Sequence, residues 1–311
     1  MSTLGSSLLL FATLCWSGQP VRAAKPPVVQ GIDHSQQFAS LVDAFVAELG
    51  KHYPTEATEL GLHQFDHDLE DLSPAGVQKT LAWLTDWEKR LSSLDKSKLS
   101  EAEQFDLQLL SHSLLTRRFA LTELPEHRRR PLAYSALASD CVNQLLKRNF
   151  APLDVRLKAA ISRLRKASAL IDAAPKNLDQ LSSASVDVTL RTLPATIDFF
   201  RSDVVKAFSE VQDPALQTQL REATQLIVSS LDRYGNWLRR DGKARASAQF
   251  ALGEALFQRA LYAEEMIDTP VAVLQQQAEA ELQRLRSEFQ KTAAIIDPKR
   301  SAHETQTMVS Q

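Results

Sequence analysis

The chain has 311 residues, 44% of them hydrophobic and 24% charged, with 36 basic against 38 acidic side chains. That balance excludes wholesale disorder and gives no electrostatic case for nucleic acid or anionic lipid as a partner. With nine glycines in all, few positions suit the positive-φ turns of a β-rich fold, whereas the abundant Leu, Ala, Gln, Arg and Lys favour helix.

In chain order, the first element expected is an export leader over residues 1–23. Residues 8–16 are a short apolar run, residues 17–20 are polar, and Val21-Arg22-Ala23 places small residues at −3 and −1 of a cleavage after Ala23. The run is too short for a bilayer, which takes about 20 apolar residues. Residues 1–7 hold no Lys or Arg, so the terminal amine alone supplies the positive end. Leu14 stands before Cys15 where lipid attachment wants a small residue. The reading is therefore a cleaved leader with no membrane anchor. Cys15 leaves with the leader, Cys141 is then the sole cysteine, and the core rather than a disulfide must hold the fold.

Helix punctuation follows. Phe38, Leu41, Val42, Phe45 and Leu49 share one face of a first helix that ends at Gly50. Ser73-Pro74 caps a second, with Val77, Leu81, Leu84 and Leu91 in its stripe. Ser100 and Glu103 form a capping box before Phe105 and Leu109. Residues 124–131 set two prolines around His127 with Arg128, Arg129 and Arg130, predicting a mobile connection. Residues 154–171 are helical by pattern, with a break expected at Ala174-Pro175 to residue 178. Val186, Val188 and Leu190 alternate as in a strand, but Val186, Leu190, Leu193 and Ile197 keep helical spacing, which predicts a helix kinked near Pro194. Asp213-Pro214 opens a helix carrying Leu216, Leu220, Ile227, Leu231 and Leu238. Thr269-Pro270 opens the last, with Leu274, Leu282, Leu285, Phe289 and Ile296 on one face before Asp297-Pro298. Residues 299–311 are polar and aperiodic and read as a disordered tail. The fold predicted is all-α, an elongated multi-helix domain over residues 24–298.

Four blocks carry a further signal. The first is Tyr53-Pro54-Thr55-Glu56-Ala57-Thr58-Glu59-Leu60-Gly61-Leu62-His63, running through Phe65-Asp66 to Asp71-Leu72-Ser73. The second is Leu99-Ser100 with Phe105-Asp106-Leu107. The third runs from Pro131-Leu132-Ala133-Tyr134 through Leu146-Lys147-Arg148-Asn149-Phe150-Ala151-Pro152 and Arg163-Leu164 to Lys176-Asn177-Leu178. The fourth joins Leu252-Gly253, Phe257 and Leu261 to Ala280-Glu281-Leu282 and Ile295-Ile296-Asp297-Pro298. In this order and spacing the blocks resemble the bacterial family catalogued as domain of unknown function 885. The resemblance implies an exported helical protein related to zinc peptidases, about twice this length, with an H-E-x-x-P-G-H metal motif in its second half. On that resemblance this sequence is the front half, stops before the motif, and inherits no zinc ligand.

The residues themselves offer no complete catalytic constellation. A zincin needs two histidines one helical turn apart and a glutamate base. The single His-Glu dipeptide is His303-Glu304, with Thr307 where the second histidine belongs. His63 and His67 have the spacing, but Gln64 replaces the glutamate, and the bland reading is a polar turn after Gly61. Asp66, Asp68 and Glu70 begin like a calcium loop, yet Asp71 and Val77 stand where glycine and glutamate are required, so the run reads as an approach to the Ser73 cap. Glu264-Glu265 reads as a solvated face, and Arg128 to Arg130 as a solvated loop rather than a phosphate or acidic-partner site. Trp83 and Trp87 read as core rather than a peptide groove, and Cys141 as a small buried hydrophobe. No spacing suggests that His52, His112 and His127 converge. No catalytic, cofactor-binding or metal residue and no cofactor is therefore assigned. The function expected is an exported scaffold forming one wall of a substrate cleft, non-catalytic by itself and periplasmic or secreted. The alternatives are a subunit of a split zinc peptidase whose metal site is on another chain, or a periplasmic peptide-binding module. The partners expected are peptide or a separate zinc-bearing chain, with no nucleic acid.

Overall fold

Every regular element among the described residues is a helix, and side chains cap the starts of five α-helices, at Ser73, Ser100, Ser182, Asp213 and Ser301. The structure is a computed structural model that describes residues 34–310, so the leader expected over residues 1–23 lies outside the described residues. Helix α1 (His34–His52) is followed by the short α2 (Pro54–Glu59), then α3 (Pro74–Ser92) and α4 (Glu101–Thr122). A single turn, α5 (Glu126–Arg129), leads to α6 (Pro131–Lys147) and the long α7 (Leu153–Asn177). Then come α8 (Ser183–Asp198), α9 (Val204–Ala207), α10 (Pro214–Trp237) and α11 (Lys243–Arg245). The chain closes with α12 (Glu254–Glu265), α13 (Val271–Ile296) and α14 (Ala302–Val309). The one β-type contact among the described residues is an isolated bridge between Ser182 and Ser247.

The apolar stripes sort these helices into two bodies, which gives the elongated all-α layout. Phe38, Phe45 and Leu49 of α1 meet Leu84, Trp87 and Leu91 of α3 and Leu107 and Leu114 of α4 in one core. The larger core lies among α6, α7, α8 and α10, around Tyr134, Leu145, Leu157, Leu164, Ile171, Phe200, Ile227 and Leu231. A third small cluster joins Phe119 of α4 to Ala260 and Ala263 of α12. Trp83 and Trp87 are core, as their spacing suggested, and both indole N–H groups donate to Glu48 Oε2, at 3.1 and 2.9 Å. Burial pushes the Glu48 carboxyl up, but the two indoles and Arg90 outweigh it and hold the group below its ordinary value.

Several boundaries differ from expectation for local reasons. Ser73, Ser100 and Asp213 accept their helices' first backbone N–H groups as predicted. Thr269 caps nothing. Gln258 of α12 replaces it, accepting from Val271 N at 2.8 Å while donating to Thr269 O at 3.1 Å. The break expected at Pro175 is absent, because a proline in the last turn forfeits only one hydrogen bond and α7 runs on to Asn177. Helix α8 likewise runs through Pro194, and the irregularity falls beyond it, in a π-helical turn at Phe199–Asp203. Residues 124–131, predicted as a mobile connection, are pinned instead. Tyr134 OH donates to His127 O at 2.7 Å, Gln180 N donates to Arg128 O at 3.0 Å, and Arg128 pairs with Asp179. The tail predicted as disordered contains α14, opened by a Ser301–Glu304 capping box of the same kind as at Ser100.

Candidate functional site

Helix α7 carries two arginines among its buried positions. Arg156 and Arg163 lie two turns apart on the face that also holds Leu157, Ala160, Leu164 and Ala167, and Arg163 is 0% exposed. A buried guanidinium is costly unless all its donors are used. Arg156 spends its own on the end of α6, reaching Leu145 O at 3.0 Å, Arg148 O at 3.1 Å, Ala151 O at 3.1 Å and Asn149 Oδ1 at 3.0 Å. It thus satisfies carbonyls that a helix C-terminus leaves without intrahelical partners.

Arg163 ties α2 and the loop after it to α6 and α7. Its Nε donates to Asp68 O at 3.0 Å, Nη1 to Cys141 O at 2.8 Å, and Nη2 to Thr58 Oγ1 at 2.5 Å and Pro54 O at 3.2 Å. The Thr58 hydroxyl passes its own proton on to Asp66 Oδ1 at 2.7 Å, and Asp66 Oδ2 lies 3.1 Å from His63 Nδ1. The His63 ring stacks on Phe150 with centroids 3.7 Å apart. Burial pulls the Arg163 guanidinium below its ordinary value, opposed by nearby negative charge including Asp66, Glu70 and Asp68. Around this knot, Arg117 of α4 grips Glu56 of α2 with two hydrogen bonds of 2.8 and 2.6 Å, beneath the Tyr53 ring. Nearly every polar atom of residues 53–73 that faces inward is thereby used.

Glu70 is the exception. Its Oε1 accepts from Thr55 N at 3.0 Å and from Thr55 Oγ1 at 2.5 Å, while Oε2 is buried with no hydrogen-bond partner. Burial raises its carboxyl above the ordinary value against the pull of Thr55 and Arg163. A raised carboxyl with one buried oxygen left without a partner makes Glu70 the most chemically distinctive acid of the knot.

The candidates weighed in the sequence are dispersed. His63 and His67 do not share a helix face, because α2 ends at Glu59, Gly61 turns the chain at φ +87°, and His63 sits on a single 3₁₀ turn. Asp66 is drawn inward to Thr58, whereas Asp68 points out to Lys166 at 2.5 Å, so the acidic run does not converge. His52 stacks on Trp83, His112 lies edge-on to Tyr262, and His127 belongs to α5. Cys141 is fully buried, and burial pushes its thiol up to about 12. Burial, Glu126 and Glu265 raise the Glu264 carboxyl. Among the described residues no three His, Cys, Asp or Glu side chains gather as a metal would require.

The segment of residues 54–310, from the knot to the end of α14, matches the family described as "Bacterial protein of unknown function (DUF885)". The chain belongs to that family. No curated protein matches it in sequence. A solved structure of a candidate lipoprotein of unknown function from Shewanella oneidensis is similar at a TM-score of 0.74 and 23% identity. That likeness covers 84% of this chain and 48% of the solved one, and at this identity it concerns the fold alone. The chain thus spans about half the length of the solved protein it matches. Among the described residues no helix is long and apolar enough to cross a membrane.

Within this DUF885 chain, sequence reasoning gave no role to Arg156 or Arg163 and read Glu70 only as part of a solvated acidic run. The signal for the arginines was present: Arg163 occupies a position that the α7 stripe assigns to an apolar side chain. For Glu70 there was none, because its burial depends on the loop folding back onto α7.

Proposed function

We propose that this chain is an exported helical scaffold that builds one wall of the substrate cleft in a zinc-peptidase-like assembly, and that by itself it is non-catalytic. The observation that carries this reading is a long apolar face on α13, exposed to solvent in a chain matching about half of a solved relative. Such a face belongs in an interface. On this reading the metal and its general base are on the other part of the assembly. The Arg163 knot holds residues 53–73 rigid beside it and takes no part in bond cleavage. Export is read from residues 1–23, and the description of the Shewanella oneidensis relative as a candidate lipoprotein agrees with it.

The test is metal content by mass spectrometry after purification without chelators, followed by assay against a mixed peptide library. The expected result is substoichiometric zinc and no chelator-sensitive hydrolysis. Stoichiometric zinc with chelator-sensitive hydrolysis would overturn it, and loss of both on His63→Ala would implicate His63 and His67. N-terminal sequencing of the exported protein should begin at Ala24, whereas lipid on Cys15 would contradict the cleaved-leader reading.

A further inference from the structure

Helix α13 is 26 residues long, yet Ala293 is its one buried residue. Its apolar positions are ordered. Leu274, Ala278, Leu282, Leu285, Phe289 and Ile296 recur at steps of four, four, three, four and seven, with Ala293 inside the last interval. Counting Ala293, the steps repeat as four, four, three, an eleven-residue spacing of about 3.67 residues per turn that keeps one apolar seam along the helix. Leu282, Leu285, Phe289 and Ile296 are nevertheless 46, 48, 45 and 53% exposed. At its C-terminal end the seam runs into an apolar groove where Phe289, Ala293 and Ile296 face Ala302 and Val309 of α14. Thr305, which lines the groove, is 1% exposed, and its Oγ1 has no hydrogen-bond partner. A regular seam with nothing seated on it is a half-built helix–helix interface.

Two facts identify what would complete it. The family match runs through α13 and α14 to residue 310, so the seam is part of the family fold. More than half of the solved relative also lies beyond the region that this chain matches. Glu281 and Glu288 are both bridged by Arg284 within the helix, so charge on this face does not favour a second copy, and the unmatched part of the fold is the occupant these two facts point to.

We infer that the α13 seam and the α13–α14 groove dock an amphipathic helix from the portion of the family fold that this chain does not match. That helix carries an apolar stripe of the same spacing, with an acid on the edge meeting Arg286. The inference rests on the half-fold reading above, but not on zinc or on hydrolysis.

The probe is a recombinant polypeptide comprising the part of the Shewanella oneidensis relative beyond the match, titrated into the full chain and followed by sedimentation and hydrogen exchange. The expected result is a one-to-one complex, new protection along α13, and at least a tenfold weaker association for Leu285→Glu/Phe289→Glu. Gln283→Glu, off the seam, should associate as the parent does. A second measurement concerns the chain alone, where the double variant should keep its helicity and its urea midpoint. The inference is overturned by absence of a complex, by a complex indifferent to the double variant, or by a large fall in midpoint, which would make the seam part of this chain's own core. Self-association of the chain that the double variant abolishes would assign the seam to a second copy and overturn it equally. A seam-dependent complex without zinc or hydrolysis would leave the docking standing and remove only the peptidase reading.

Discussion

Arg163 shows how much one side chain can be asked to hold. Its donors serve backbone carbonyls from α2, α6 and the loop at Asp68, so removing it strands several buried acceptors at once. Replacing it with methionine, which fills similar space, is expected to cost about 3–5 kcal/mol, as for breaking a buried charged network. Urea unfolding measures this, and a loss below 1 kcal/mol would show the carbonyls finding other donors. Glu70 makes a prediction of opposite character. Its folded value lies above its ordinary 4.5, so its contribution to stability is whole below that pH and fades as pH rises through the folded value. Relative to Glu70→Gln, the parent should therefore lose stability steadily on going from pH 4.5 toward neutrality. A difference between the two unfolding free energies that stays constant with pH would contradict it. Arg163's place in the α7 stripe hinted at its burial, whereas Glu70 reads as solvated until the fold buries it.

Among the elements, the turn that carries His63 and Asp66 depends on a close approach at the end of α1. A Cβ on Gly50 would come within 2.1 Å of the Phe65 ring. Helix propensity alone predicts a gain of about 1 kcal/mol for Gly50→Ala. Overpacking against a ring in a confined turn costs about 1–3 kcal/mol, so a net loss is expected. The measurements are a lowered melting midpoint and a shifted His63 resonance, and a raised midpoint would reverse the argument. Local signals served the elements well wherever a side chain satisfies its own helix. Ser73, Ser100 and Asp213 cap as read, and Ser301 with Glu304 was an equally legible box in a segment dismissed for its polarity. They failed at Thr269, where the bonds come from Gln258 on another helix, and at residues 124–131, held by partners as distant as Asp179 and Gln180.

For the molecule as a whole, burial is uneven in a way that exchange can read. Helices α7 and α10 pack against each other in the larger core, whereas α13, the longest helix, buries one residue. Local opening is cheapest where few apolar contacts must break. In the isolated chain, amide exchange should be slowest along α7 and α10 and fastest, among the long helices, along α13. Equal protection of α13 and α7 would mean that α13 is held by something in this chain after all.

Periodicity and capping determined the helical class, the starts of α3, α4 and α10, and the stripes of α1, α3, α8, α10 and α13, because these depend on residues within one or two turns of each other. Whether a stripe is covered, and which polar groups share a site, depends on residues about a hundred positions apart, as Arg163 and Thr58 are. Only the tertiary structure decided that α7 would bury two arginines, that Glu70 would lose its water, and that the α13 seam would face solvent. For the arginines and Glu70 the deciding energy is desolvation, which exists only once distant segments have met, and the α13 seam keeps its water because no other described segment packs along its length.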